Sequence, residues 1–110
     1  MEDKLEEIFS LQKGLTEMMN LDRYPDDTEG RISALFTAMI HEAVELQRTT
    51  NWKWWKKPTE FNKTEAREEL ADIWHFLIQA SIELGLTPED ILKEYQRKNE
   101  INRQRQKDGY

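Results

Sequence analysis

The chain has 110 residues, 37% of them apolar and 35% charged, which is one domain's worth of sequence with a core that is thin for a monomer of this size. A net charge of −6 argues against general affinity for a nucleic-acid backbone, so any phosphate binding has to be local or metal-mediated. The absence of cysteine excludes disulfides and thiolate metal sites.

The N-terminal Met1-Glu2-Asp3-Lys4 has neither a basic n-region nor an apolar h-region, and no apolar run approaches membrane-spanning length. The expectation is a cytoplasmic protein, a single domain over residues 1–110, with neither membrane nor nucleic acid as partner.

Four helices are predicted. From Leu5 to Met19 the apolar residues Leu5, Ile8, Phe9, Leu11, Leu15, Met18 and Met19 recur at helical spacing. Asp22 to Gly30, acidic and broken by Pro25, reads as a loop. A second helix is expected from about Arg31 to Thr49, with Ile32, Leu35, Phe36, Met39, Ala43 and Leu46 on one stripe. Thr50 to Asn62 breaks the pattern and holds Pro58. A third helix is expected to start with Thr64 as N-cap and Glu65 and Glu68 in its first turns, and to end at Gly85 as the C′ residue. Thr87-Pro88-Glu89-Asp90 then carries an N-cap, a proline at the first helical position and a capping-box acid, opening a fourth helix to about Arg105. The class is all-α, a four-helix bundle.

Two of these helices carry acids where core residues belong. Glu42 and Glu45, and likewise Glu69 and Asp72, are three residues apart and so project to one side of their helix. Glu42 is three residues from Met39, four from Leu46 and seven from Leu35; Glu69 bears the same relation to Ala66, Ile73 and Phe76. Carboxylates aimed at a core need compensation, and a hard cation such as Mg²⁺, which takes oxygen ligands and keeps waters and substrate phosphates in its other positions, supplies it. Acid pairs at this spacing also decorate solvated helices, and lysines or arginines neutralise them without metal; spacing alone leaves these alternatives open. A di-iron site needs Glu-x-x-His on two helices. His75 follows Asp72 by three, but His41 follows Ala38, so that reading is rejected.

Asn51-Trp52-Lys53-Trp54-Trp55-Lys56-Lys57 sets three tryptophans among three lysines in a non-helical joint. Aromatic faces beside cations suit a stacked base and its phosphates; a hydrophobic plug between helices or an oligomer contact is the alternative for Trp52 and Trp54. Lys98 to Tyr110 is dense in hydrogen-bond donors. Asn99 and Asn102 share a face, an Asn amide can read a base edge, and Lys98 and Arg105 can hold phosphate oxygens. A solvated terminal helix is the alternative there.

Taken in order, these segments resemble the dimeric all-α dUTPases of the MazG-type pyrophosphohydrolase superfamily. The superfamily signature is matched by Glu42, Glu45, Glu69 and Asp72. The dUTPase blocks follow as Leu11-Gln12, Glu45-Leu46, Trp52-Lys53 with Trp55-Lys56, Asp72-Ile73-Trp74-His75-Phe76, and the closing pattern from Lys98 to Tyr110. The resemblance implies a MazG-like bundle assembled as a homodimer or a dimer of dimers. It implies hydrolysis of a deoxynucleoside triphosphate, dUTP first, to the monophosphate and pyrophosphate. The four acids would hold two or more Mg²⁺, with Mn²⁺ able to substitute, and Glu45 would be the catalytic residue that orients the attacking water. Gln12, Trp55 and Asn99 would belong to the base pocket, with Lys56, Lys98, Asn102 and Arg105 near sugar and phosphates.

The chain departs from the family pattern in lacking the helical insertion after the Asp72–Phe76 block, and in carrying Thr16 where an Asn usually follows the first-helix Gln by four. These departures favour another base preference (dCTP, a purine or a modified nucleotide); a third alternative, a non-catalytic nucleotide-binding helical dimer, is disfavoured by the retention of all four acids.

Overall fold

The computed structural model describes residues 3–109. They form α1 (Lys4–Met18), α2 (Thr28–Gln47), α3 (Lys63–Glu83) and α4 (Pro88–Lys107), with no strand among the described residues. No helix among them is long and apolar enough to cross a membrane.

The helix ends follow from side-chain chemistry. Asp3 caps α1 by accepting from the Leu5 amide at 2.9 Å. The second helix begins at Thr28, three residues before its expected start, because Asp27 is its N-cap and accepts from the Gly30 amide at 2.7 Å. Gly30 is thus not the end of a loop but a first-turn residue. A Cβ there would lie 2.6 Å from Asp27 Oδ1 and 3.0 Å from Pro25 Cβ, so the approach of the capping carboxylate requires glycine. Asn62, not Thr64, caps α3 through a 3.1 Å bond from the Glu65 amide; Thr64 lies inside the first turn.

At its other end α3 closes as the glycine predicts. Gly85 sits at φ +76°, its N–H donates to the Ile82 carbonyl at 2.9 Å, and the Leu86 N–H reaches the Ser81 carbonyl at 3.0 Å, the paired bonds of a Schellman motif. The box at the start of α4 is reciprocal. The Asp90 amide donates to Thr87 Oγ1 at 3.1 Å and the Thr87 amide to Asp90 Oδ2 at 2.9 Å, which holds the Asp90 carboxyl below its ordinary pKa.

α2 packs on α3 as the main contact, α1 lies more lightly on α3, and α4 makes a sparse contact with α1. Arg31 reaches Glu83 while Glu42 approaches Glu69 and Asp72, so α2 and α3 run antiparallel and bring both acid pairs to one level. The buried apolar residues are few: Phe9, Leu35, Ala66, Ile78 and Ala80. Leu11, Met18, Ile40, Trp54, Trp74 and Tyr95 are exposed.

The Cα radius of gyration is 17.5 Å, against about 13 Å for a compact chain of this length. The accessible surface of 9369 Å² exceeds the roughly 6,400 Å² of a compact monomer of this mass. The thin core read from composition is therefore a property of the folded chain.

Candidate metal centre and adjoining cavity

Where α2 crosses α3, one carboxylate oxygen each from Glu42, Glu69 and Asp72 lies within 4.8 Å of the others. Glu42 and Glu69 are half-buried, and each leaves its Oε2 buried without a hydrogen-bond partner. Glu45 and Asp72 are exposed.

Burial raises the pKa of Glu42 most, followed by the charges of Glu45 and Asp72. Burial likewise leads for Glu69, followed by Glu45, Glu42 and Asp72. Glu45 thus belongs to the same electrostatic cluster although it stands outside the tight three-oxygen group. The stripe periodicity aimed these acids inward, and the two orphaned oxygens are the measure of it. Convergent oxygen-only donors, hard and anionic, with unsatisfied lone pairs, fit a hard divalent cation.

Glu42 and Asp72 also wall a cavity of about 600 Å³, with Leu15, Met19, Leu35 and Phe76 among its apolar lining. Gln12 joins that wall, as do Thr16, Gln79 and Tyr24. Gln79 Oε1 accepts from Gln12 Nε2 at 3.1 Å and from Thr16 Oγ1 at 2.8 Å. Burial, then the Glu83 charge, raises the Tyr24 pKa, which keeps its hydroxyl a donor to Glu83 Oε1 at 3.2 Å. His75 also lines the cavity. Its Nδ1 lies 2.9 Å from the Ala71 carbonyl; a carbonyl only accepts, so Nδ1 carries the proton and Nε2 is left as an acceptor when the ring is neutral.

The remaining candidates lie elsewhere. Lys56 lines a second hollow of about 590 Å³ with Arg48, Lys53 and Lys57. Asn51 clamps this joint, donating to the Thr59 carbonyl at 2.8 Å and accepting from the Thr59 amide at 2.9 Å. Trp55 stands edge-on to Trp52 and Trp54, with ring centroids 5.8 and 5.4 Å away, and all three rings are exposed. Lys98, Asn99, Asn102 and Arg105 are exposed along α4 and line neither hollow; Asn99 accepts from Arg103 Nε at 2.8 Å. The single chain therefore joins Gln12 to the acids but does not bring Trp55, Lys56 or the α4 residues to them.

A profile of the family described as dUTPase matches residues 4–89 and 78–110. The chain belongs to the all-α dUTPase family. The overlap of the two matched segments falls just after the Asp72–Phe76 block, where the sequence lacks the family's insertion. The chain is also similar to a dCTP pyrophosphatase of Enterobacteria phage T4, 32% identical over 78 residues that cover 60% of this chain and 46% of that protein. It thus spans less than half the length of this relative. No solved structure matches the chain.

Gln79 and Tyr24 line the cavity without having been singled out in the sequence, and His75, part of the Asp72–Phe76 block, lines it without having been assigned a role. Gln79 had a signal: it lies seven residues from Asp72 and three from Phe76, on the stripe that carries the acids.

Proposed function

We propose that the chain is a Mg²⁺-dependent nucleoside triphosphate pyrophosphohydrolase, with dUTP as its first substrate. The observation that carries this reading is the meeting of Glu42, Glu69 and Asp72, two of them with unpartnered buried oxygens, at the edge of a cavity whose far wall offers the Gln12 amide, in a chain of this family.

Glu42, Glu69 and Asp72 would hold the cations, with Glu45 at their flank. Mn²⁺ is an acceptable substitute for such an oxygen site. The bound ions supply neutralisation of phosphate charge and a lowered pKa for water in the site. Glu45, exposed beside the cluster, orients the attacking water and accepts its proton. The α,β-phosphoanhydride bond breaks, and monophosphate and pyrophosphate leave. The apolar cavity wall takes the base and sugar. Lys56 with Arg48, Lys53 and Lys57 forms a basic hollow suited to phosphate oxygens.

The exposed apolar faces of α1 and α3, and a surface about 3,000 Å² larger than that of a compact monomer, support a homodimer or dimer of dimers. Trp55, Lys98, Asn99, Asn102 and Arg105 would then complete the site across the interface. Light scattering at micromolar concentration should give a mass of two or four chains; a monodisperse monomer rejects the assembly.

A second reading, dCTP as substrate, is favoured by the phage relative's name and by Thr16 standing in place of an Asn. A panel of dNTPs incubated with Mg²⁺, read by pyrophosphate release, decides between them. dUTP should be turned over most efficiently. A dCTP optimum selects the second reading, and absence of pyrophosphate from every nucleotide rejects the enzyme.

A further inference from the structure

Behind the cavity wall a line of hydrogen bonds runs from α2 through α3 to α1. Arg31 Nη1 pairs with Glu83 Oε2 at 3.1 Å. Glu83 Oε1 accepts from Gln79 Nε2 at 2.9 Å, and Gln79 Oε1 accepts from Gln12 Nε2 at 3.1 Å. Gln12 and Gln79 are only 8% and 7% exposed, and the Glu83 side chain 12%. The line ends at Gln12 Oε1, which is buried and has no partner.

Each link has a compulsory direction. A guanidinium only donates and an ionised carboxylate only accepts. Glu83, held by Arg31, therefore takes the Gln79 NH₂ group and turns the Gln79 oxygen toward α1. That oxygen takes the Gln12 NH₂ group, and the Gln12 oxygen is what remains. Thr16 imposes no direction, because its hydroxyl donates or accepts as required and has the Gln12 carbonyl as a second neighbour at 3.0 Å. A free glutamine amide offers a ligand either polarity; this one is locked as an acceptor. An unsatisfied buried acceptor is costly, and a donor on a ligand relieves that cost.

We infer that Arg31, Glu83 and Gln79 are positioning residues that lock Gln12 as a hydrogen-bond acceptor and so select a base presenting a ring N–H to it. This rests on the nucleotide reading above and deepens it. Uracil carries N3–H at the ring position where cytosine carries a lone pair, so the locked polarity favours the uracil edge over the cytosine edge. The selection is made by Arg31 and Glu83, which do not line the cavity and act through Gln79 and Gln12 of its wall, while the acids that serve the phosphates are untouched.

The test compares kcat and KM for dUTP and dCTP, with Mg²⁺, in the wild type, Gln79→Met and Glu83→Gln. Met keeps the volume and breaks the line; Gln at 83 can donate as well as accept, so both orientations of the Gln79 amide become available. The wild type should prefer dUTP by at least about tenfold in kcat/KM. Each variant should lose most of that preference through a higher KM for dUTP than for dCTP. In the wild type itself, 3-methyl-dUMP, which lacks the N–H, should compete with dUTP at least about tenfold more weakly than unmodified dUMP does.

A dUTP preference unchanged in both variants, or a KM rise equal for the two nucleotides, overturns the inference and leaves the enzyme reading standing. So does competition by 3-methyl-dUMP as tight as that by dUMP, or a wild-type preference for dCTP. If no nucleotide is hydrolysed or bound, the nucleotide reading itself is overturned.

Discussion

Glu69→Gln is expected to lower turnover by more than about 100-fold, since even partners that only support a metal ligand cost 10- to 100-fold when removed. In the same variant the metal-free protein should melt higher at neutral pH than the wild type. Glu69 brings a buried, unpartnered oxygen to a cluster that repels it, with burial and the charges of Glu45, Glu42 and Asp72 all opposing its ionisation. Gln keeps the shape and removes the charge, but it is a poor ligand for a hard cation. Activity and apo stability should therefore move in opposite directions. A substitution that merely damaged packing would lower both.

Glu45→Gln separates the two roles. Glu45 stands outside the three-oxygen group, so Mg²⁺ affinity should fall less than in Glu69→Gln. Turnover should still drop by about 10²- to 10⁴-fold from loss of the proton acceptor. Steady-state kinetics, calorimetric Mg²⁺ titration and melting of the EDTA-treated proteins give the needed numbers. Full turnover by Glu69→Gln removes the metal centre from the proposal.

The parts that could be read from sequence are those with a local signature. The capping box at Thr87 and Asp90 and the glycine stop at Gly85 need only neighbouring residues to be recognised, and both stand as read. Asp27 and Asn62 were missed as caps because several short polar residues precede each helix, and only the backbone path decides which one turns its oxygen on the helix. The inward acids were legible because Glu42 and Glu69 interrupt apolar stripes. Glu69, Asp72, Phe76, Gln79 and Glu83 follow one another at spacings of three or four, so Gln79 and Glu83 share the inward stripe of α3 with the acids. On α1, Gln12 and Thr16 follow Phe9 in the same rhythm.

Which polar residue on one helix meets which on another depends on the crossing of α1 and α3, and no periodicity encodes that. The tryptophans and the donors of α4 show the opposite limit. Their chemistry is visible in sequence, but Trp55, Asn99 and Arg105 do not line the acid-walled cavity, and no local pattern says what such exposed faces meet.

Melting of the apo protein should respond to pH in a sense opposite to that of most acidic proteins, and Mg²⁺ should reverse it. Burial and neighbouring charge raise the folded-state pKa of Glu42 and of Glu69 above the ordinary carboxylate value. A group with a raised folded pKa holds its proton more firmly folded than unfolded. Its contribution to stability is fully present below the unfolded pKa and is lost as pH rises through the folded one. The window therefore opens at the ordinary glutamate range and extends upward. The opposing case, Asp90, has a lowered pKa and loses its contribution only as pH falls below the ordinary aspartate range, so the two effects separate.

In EDTA the protein should melt lower at pH 7.5 than at pH 5.5, because both lie above the ordinary glutamate range, where stability falls as pH rises. On the proposed metal reading, Mg²⁺ binds the ionised native cluster and not the unfolded chain. At a hundredfold excess over its dissociation constant it adds about 2.7 kcal/mol, on the order of 10 °C for a domain of this size, and it adds more at pH 7.5 than at pH 5.5, where more protons have to be displaced. The order of melting temperatures should invert. Glu69→Gln should flatten the pH dependence in EDTA and blunt the response to Mg²⁺, whereas Thr87→Ala, which loosens a cap far along the chain from the acids, should leave both intact while lowering every curve by a similar amount. Scanning calorimetry at the two pH values, with EDTA and with millimolar Mg²⁺, reads all of this. Curves that coincide under the four conditions would mean that the carboxylates are solvated separately, and the metal centre would go with them.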